Sequence, residues 1–264
     1  MDGACWTARV GRRVVGWHRL SKPLVCELEG SCFLVRHLMI SGRLQWHTTS
    51  RHTTSRAPSK RNLLGVFEFS TGSVLFTAAS KKKRAALRPV DTDEALAALN
   101  LGGLELASLS APDFTARLRG SNHTLKRALT EQRVFAGIGN AYSDEILLRA
   151  RLSPFKRPRD MTDEECLQLK VACDNVLADW TSQLRAEAGD TSPRKVTAFH
   201  ANMAVHGKFR EPCSACGTAV QRIVYAENEA NYCPTCQTGG RLLADRALSR
   251  LLQVDWPKRV EDLG

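Results

Sequence analysis

Residues 133–150, RVFAGIGNAYSDEILLRA, place two glycines two residues apart just before an amphipathic helical pattern. Gly137 and Gly139 predict a tight turn that another group can approach closely, because glycine has no side chain to obstruct it. Asn140 is a suitable N-cap for the helix that follows. The unpaired N–H groups of such a helix start bind anions well. The stretch therefore predicts a turn and a helix start that receive an anion.

The charge of the whole chain favours a polyanionic partner. Its 264 residues include 38 Lys and Arg against 27 Asp and Glu, which gives a formal net charge of +11. This balance favours nucleic acid first and an anionic membrane surface second, although solubility alone can also account for it. No apolar run approaches the roughly 20 residues of a membrane span, and the first residues lack the pattern of a signal peptide. We expect an intracellular protein, in cytoplasm and nucleoid or in a nucleus, that is not secreted and has no membrane partner.

Four of the nine cysteines have the spacing of a metal site. Cys213 and Cys216 form one Cys-x2-Cys pair, and Cys233 and Cys236 form a second pair sixteen residues further on. Two such pairs are typical of a tetrahedral four-thiolate zinc site on a β-hairpin, and two redox-active dithiols are the alternative. Because four protein thiolates leave no open coordination position, we predict one structural zinc ion as the cofactor.

The first hundred residues have the pattern of β-strands broken by turns. The runs at 24–28 and 32–40 are β-rich and separated by Glu29-Gly30-Ser31, and the runs at 65–69 and 73–78 flank a hairpin turn. The polar, basic stretch 47–61 predicts a loop. The charge run at 81–84 is either a solvated surface or a phosphate contact.

Helical periodicity replaces this pattern after about residue 106. Helices are predicted at 121–132, at 141–150 and from Thr162, where Glu165 completes a capping box. The last of these carries an apolar stripe that we expect to pack in the core rather than to bind a cofactor. Its members are Cys166, Leu169, Cys173, Val176, Leu177, Trp180 and Leu184.

This order of elements on a basic chain resembles the formamidopyrimidine-DNA glycosylase and endonuclease VIII family of base-excision repair enzymes. Residues 123–154 look like its helix-two-turn-helix, and residues 205–237 look like its C-terminal zinc finger. The segments RLSKPLVCELEG and LVRHLMISGRL look like strands of its N-terminal domain. The resemblance implies an α+β multidomain protein with four parts: an antiparallel β-sandwich at 1–105, a helix-two-turn-helix domain at 106–205, a four-cysteine zinc β-hairpin at 206–240 and a helical tail at 241–264.

The resemblance also implies a function. Family members act on duplex DNA that contains a damaged base or an abasic site, and they flip the damaged base out of the helix. An amine attacks the sugar C1′, and the strand is then cut by β,δ-elimination. We therefore expect a monomeric, bifunctional DNA glycosylase and apurinic/apyrimidinic lyase. The alternatives are a non-catalytic damaged-DNA-binding protein of the same fold and an RNA-binding zinc protein.

One departure from the family concerns the catalytic amine. In the family that amine belongs to an N-terminal proline followed by a glutamate, whereas here Asp2 follows Met1 and the first proline is Pro23. Either the sequence given lacks a leading segment or the protein binds lesions without cutting them. We favour the first, because loss of the leading strand would leave an unpaired sheet edge. Lys22 is the substitute candidate for the catalytic amine.

The family's phosphate contacts fall on identifiable positions of this chain. Gly139 and Asn140 would bind the phosphate beside the lesion, with Lys126 on the preceding helix nearby. Lys22 would contact a flanking phosphate. Free N–H groups and lysines are suited to phosphate, so the physical reading of the turn agrees with the resemblance.

Further contacts are implied around the lesion and in the zinc hairpin. His37 and Met39 match the segment that lines the lesion and fills the space behind the flipped base. In the hairpin the family has an arginine five residues before the third cysteine, and this chain has Asn228 there. Because asparagine brings no charge, we expect Lys208 or Arg222 to supply the missing cation.

Overall fold

The computed structural model describes residues 6–39, 41–48, 61–79, 84–189, 199–225, 228–244, 250 and 257–263. The chain divides into two compact units, one of residues 1–101 with 185–196 and one of residues 102–184 with 197–264. The strands are β1 (Val14–Arg19), β2 (Leu24–Leu28), β3 (Cys32–His37), β4 (Gly42–Thr48), β5 (Leu63–Phe69), β6 (Gly72–Ala78), β7 (Ala86–Val90), β8 (Gln221–Tyr225) and β9 (Asn228–Tyr232). The helices are α1 (Asp93–Ala97), α2 (Ala111–Arg119), α3 (Leu125–Thr130), α4 (Asn140–Arg149), α5 (Asp163–Ala188) and α6 (Pro234–Thr238).

Two antiparallel sheets form the first unit. One has the strand order β1-β2-β3-β7 and the other has the order β4-β6-β5. On one face of the first sheet, Phe33 and Val35 join a buried cluster against which Leu96 and Leu99 pack, beside α1. On the other face, Arg36 lies over Phe67 and Phe76 of the second sheet. The sheets therefore stack face to face, which confirms the predicted β-sandwich.

Some predicted boundaries in this unit were wrong. The strand predicted at 32–40 ends at His37, because the chain turns there: the Gly42 N–H donates to the Leu38 carbonyl at 2.8 Å. The loop predicted at 47–61 overlaps the end of β4; its residues 49–60 lie outside the described residues, as do residues 81–83 of the charge run.

A large helical core forms most of the second unit. The capping box of α5 is confirmed, since Thr162 and Glu165 exchange side-chain bonds to each other's backbone N–H groups at 3.0 and 3.2 Å. The predicted apolar stripe of α5 packs in this core, except that Leu177 is only partly buried and Leu184 is 41% exposed near the end of the helix.

The helix predicted at 121–132 is shorter than expected. Only Leu125–Thr130 is helical. The first N–H groups of α3, from Leu125 and Lys126, donate to the carbonyls of Lys156 and Pro154 at 2.8 and 3.1 Å. Tertiary hydrogen bonds thus set where this helix begins, and local sequence pattern does not reveal them.

The C-terminal part of this unit contains the hairpin of β8 and β9, followed directly by α6. Within the described residues of the predicted helical tail, Arg241 and Arg259 form an isolated antiparallel bridge and Val260–Leu263 form a short 3₁₀ helix. Among the described residues, no helix is long and apolar enough to cross a membrane.

Candidate nucleic-acid interface and zinc centre

The glycine turn before α4 is held by one side chain that the sequence did not indicate. Gly137 has φ +90°, which glycine adopts without strain. The side chain of Gln132 accepts from the Gly137 N–H at 2.9 Å and donates to the carbonyls of Thr130 and Ile138, both at 2.9 Å. These three bonds link the end of α3 to the turn, so the start of α4 has a defined position.

Asn140 does not cap α4 as predicted. Gly139 occupies the N-cap position in extended conformation, with φ −112° and ψ −176°, and Asn140 is the first helical residue. The half-buried Asn140 side chain has no hydrogen-bond partner among the described residues. Its amide is therefore available to a ligand, together with the first N–H groups of α4, which have no partner within a helix.

The Lys126 side chain stabilises the start of α4 from the protein interior. Its side chain is buried, with 2% exposed, and its ammonium contacts the Asn140 carbonyl and the Ser143 hydroxyl, each at 3.2 Å, and forms an ion pair with Asp144. Burial lowers the pKa of Lys126, and the nearby Asp144 carboxylate opposes that effect. An ammonium has three N–H donors, and all three are used here. This geometry does not support the predicted direct phosphate contact by Lys126; the residue positions Asn140 instead.

The same Asp144 carboxylate connects α4 to the zinc hairpin. His206 Nδ1 lies 2.8 Å from its second oxygen, and Asn231 of β9 donates to that oxygen at 3.2 Å. Because a carboxylate only accepts, Nδ1 of His206 carries the proton in this contact. The buried network joins α3, α4 and β9 through one carboxylate.

The carboxylate of Glu145, the next residue of α4, accepts hydrogen bonds from backbone N–H groups rather than from side chains. It is buried, with 6% exposed. Its two carboxylate oxygens accept from the N–H groups of Ala204, Val205 and His206, each at 2.9 Å. Three charge-assisted hydrogen bonds therefore fix the segment that leads from the helical core into the zinc hairpin.

The four predicted cysteines come together in the second unit. The Sγ atoms of Cys213, Cys216, Cys233 and Cys236 all lie within 4.8 Å of one another. With Zn–S bonds of about 2.3 Å, tetrahedral geometry requires sulfur separations of roughly 3.8 Å, so this cluster suits one zinc ion. Since all four ligands are thiolates, the zinc is structural.

The surroundings of the cluster shift the pKa values of its thiols in opposite directions. Burial raises the pKa of the Cys236 thiol to about 11, whereas contact with the Thr218 hydroxyl lowers that of Cys216 to about 6. A bound cation stabilises the thiolate form and so offsets the effect of burial. The Cys233 N–H also donates to Gln237 at 2.8 Å, and Gln237 donates to the Leu152 carbonyl at 2.9 Å, which ties the cluster to the helical core.

The candidate cations of the hairpin have partial internal partners. Lys208 lies 3.0 Å from Glu211. Arg222 lies over the Phe209 ring at 4.6 Å and is 3.7 Å from Glu229. Asn228, at the start of β9, is exposed. Each of these ion pairs is partly exposed to solvent, which weakens it, so both cations can exchange their partners for phosphate.

In the first unit, the candidates from the β-sandwich lie at one end of the first sheet. Leu24 pairs with Arg36 in the β2–β3 register, which brings the turn containing Lys22 beside the end of β3 at His37. Lys22 is exposed at the surface, and partial desolvation lowers its pKa; burial and the charge of Lys22 lower the pKa of the half-buried His37. Met39, with 44% exposed, follows in a turn in which its N–H donates to His37 Nδ1 at 3.1 Å.

Comparison with known proteins identifies the family. Residues 105–188 match the formamidopyrimidine-DNA glycosylase H2TH domain, and residues 210–239 match the zinc finger found in FPG and IleRS. The formamidopyrimidine-DNA glycosylase of Thermus thermophilus is 35% identical over 235 residues, which cover 87% of this chain and 84% of that protein. The chain belongs to the formamidopyrimidine-DNA glycosylase family.

Solved structures of this family agree with the fold. The Lactococcus lactis formamidopyrimidine-DNA glycosylase, bound non-covalently to DNA that contains an AP site, has a TM-score of 0.69 at 25% identity, covering 86% of this chain and 82% of that chain. A MutM structure in complex with DNA containing carbocyclic 8-oxo-G has a TM-score of 0.72 at 27% identity, covering 88% and 84%.

Within the H2TH domain of this family member, sequence reasoning missed the residues that join it to the zinc finger. Asp144 and Glu145 are acids, and acids in a helix usually face solvent. A signal was present, however, because they lie between Ala141 and the apolar pair Ile146 and Leu147, all of which are buried. Two acids within such a run indicate buried carboxylates with specific partners.

Proposed function

We propose that this member of the formamidopyrimidine-DNA glycosylase family is a DNA glycosylase with AP lyase activity that acts on duplex DNA containing a damaged base or an abasic site. The observation that carries the proposal is the start of α4. There the Asn140 amide has no partner among the described residues and stands beside the first N–H groups of the helix. Such a group of donors is suited to a DNA phosphate.

Two neighbouring side chains explain how the start of α4 can bind a phosphate without rearranging. Lys126 holds the Asn140 carbonyl, and Gln132 holds the turn before it. A site that is ordered before DNA arrives loses little conformational entropy on binding. Asn140 is therefore the proposed phosphate ligand, and Lys126 and Gln132 are positioning residues.

Asn140→Asp should weaken DNA binding more than Asn140→Ala. Alanine removes one hydrogen bond to a charged group, worth roughly 1.5–3 kcal/mol, or about tenfold in Kd or more. Aspartate also places a negative charge beside the phosphate. Kd is measured at fixed salt with a duplex containing a tetrahydrofuran abasic analogue, and a matched RNA duplex serves as competitor.

The matched control is Asn175→Asp, because Asn175 is exposed on α5 and gives the same change in net charge. It should bind within about twofold of the unchanged protein. If Asn140→Asp also stays within twofold, the helix start is not the phosphate site. If the RNA competes as well as the DNA, the protein is not specific for DNA.

For the lyase step we propose Lys22 as the amine within this sequence. Its side chain is exposed at the surface, and the partial desolvation that lowers its pKa increases the fraction of neutral amine, which is the nucleophilic form. The amine attacks C1′ of the abasic sugar and water leaves, which forms a Schiff base. Loss of a C2′ proton to water then breaks the C3′–O bond and releases the 3′ phosphate. Lys22 lies close enough to His37 to lower the pKa of that imidazole.

Borohydride trapping tests this role. We expect a covalent protein–DNA band with an abasic duplex for the unchanged chain and for Lys258→Ala, an exposed control, and at least about a tenfold weaker band for Lys22→Ala. Kd is measured for each variant, so that lost binding is not mistaken for lost chemistry. A full band with Lys22→Ala would assign the amine elsewhere. Binding with no band for any variant would favour a protein of this fold that recognises damage without cutting.

A further inference from the structure

Arg36 occupies a position in the β-sandwich where an apolar side chain is expected. Along β3, Phe33 and Val35 pack on the outer side of the sheet, and Leu34 packs on the opposite side. Arg36 shares that inner side and is buried, with 3% exposed. The centre of its guanidinium lies 4.3 Å from the Phe76 ring and 5.1 Å from the Phe67 ring.

The charge of Arg36 has no polar partner among the described residues. Its Nε and Nη1 atoms are buried and make no hydrogen bond there. Burial lowers the pKa of the guanidinium to about 10, so it is still a cation at neutral pH. The titratable group that faces it is the Cys26 thiol, which is neutral at that pH because burial raises its pKa to about 11.

Two other arginines beside the same space have ionic or hydrogen-bonded partners within the protein, although Arg9 Nε makes no hydrogen bond among the described residues. Arg9 forms an ion pair with Asp91. Arg12 donates to the carbonyls of Ala8 and Glu29 at 2.8 and 2.6 Å. A buried cation without such partners is costly, so the position of Arg36 calls for a ligand.

A cavity adjoins Arg36 between the two sheets. Its volume is about 470 Å³, within the range of small-molecule sites. Most of its lining is apolar, including Trp6 and Trp17, with Leu34 and Phe67 from the two facing sheets. The one acid in the lining, Glu68, is exposed and forms no ion pair with Arg36.

We propose that this inter-sheet cavity binds a small monocarboxylate with an apolar body, whose carboxylate pairs with Arg36. A single uncompensated guanidinium matches a single negative charge and hydrogen-bonds well to a carboxylate. The aromatic and aliphatic lining matches an apolar body, which a free phosphate lacks. This site shares no residue with the proposed DNA contacts, so the failure of one proposal would not refute the other.

The test uses 2-naphthoate and its neutral analogue 2-naphthamide, with the fluorescence of Trp6 and Trp17 as the signal. The unchanged protein should bind the carboxylate about tenfold more tightly than the amide, since a charge-assisted bond is worth about 1.4 kcal/mol or more. Arg36→Met should lose this preference, and Arg36→Lys should keep part of it. Arg88→Met, which removes an exposed charge from β7, should keep all of it.

Two results would overturn the proposal. One is the absence of saturable binding of 2-naphthoate below the millimolar range, and the other is equal affinity in Arg36→Met. Thermal unfolding of the variants supplies an independent readout. Because Arg36 has no ionic or hydrogen-bonded partner among the described residues, and methionine can also pack against the two aromatic rings, Arg36→Met should be at least as stable as the unchanged protein without ligand. A clearly lower Tm, or failure to fold, would mean that the protein itself satisfies this arginine and would also refute the site.

Discussion

Cys213→Ala is expected to release the zinc ion, unfold the hairpin and abolish specific DNA binding. The cluster around the metal is small: Val205, Cys213, Val220 and Cys233 are its buried members. So few apolar residues cannot order a segment of this length, and metal binding contributes on the order of 10 kcal/mol to the folding of zinc fingers. The helical core should stay folded, because it has its own large cluster.

The measurements are zinc content per chain, thermal unfolding and Kd for an abasic duplex. Cys173→Ala is the matched control, because Cys173 is a buried thiol in the helical core and not a ligand. This control should retain one zinc ion, even if it costs some stability. A Cys213→Ala protein that keeps a full zinc ion and full DNA affinity would show that the cluster does not hold the metal as described.

The second large effect is expected from Glu145. Glu145→Ala leaves the N–H groups of Ala204, Val205 and His206 without their acceptor, and each unsatisfied buried donor costs about 1–3 kcal/mol. The free energy of unfolding should therefore fall by at least about 3 kcal/mol. Glu145→Gln should lose less, because its amide oxygen can still accept while its NH₂ group opposes one N–H.

Urea unfolding at a fixed zinc concentration measures the free energy of unfolding of the unchanged protein, Glu145→Gln and Glu145→Ala, which should decrease in that order. Glu164→Ala is the control, since Glu164 is exposed on α5 and its loss should change the free energy of unfolding by less than about 0.5 kcal/mol. Equal stability of Glu145→Ala and Glu164→Ala would show that other groups replace the carboxylate. Loss of zinc in Glu145→Ala would further show that this carboxylate orders the entry into the hairpin.

Local spacing in the sequence was sufficient to predict many features of the fold and of the candidate site. The four zinc ligands, the capping box of α5 and the β-hairpins depend on residues close together in the chain, so their patterns are visible in one dimension. The glycine turn was predicted for the same reason. The cap of α4 was assigned one residue too late, because Gly139 and Asn140 both suit a helix start.

The partners of buried polar groups were beyond sequence reasoning. Lys126 was expected to face DNA, but Asp144 and Ser143 of the next helix take up its donors. Arg36 follows three buried residues of β3, and only the stacking of a second sheet places it over two aromatic rings.

The chain alone thus specifies the metal ligands, the helix-two-turn-helix and the strands, because these follow from short-range spacing and periodicity. The tertiary structure alone specifies which charges are buried and what each of them contacts. The physical reason is that the free energy of a charged side chain depends on its desolvation and on partners brought from distant parts of the chain. Lys126 and Glu145 acquire positioning roles in this way. Arg36 becomes a buried cation without an ionic or hydrogen-bonded partner among the described residues.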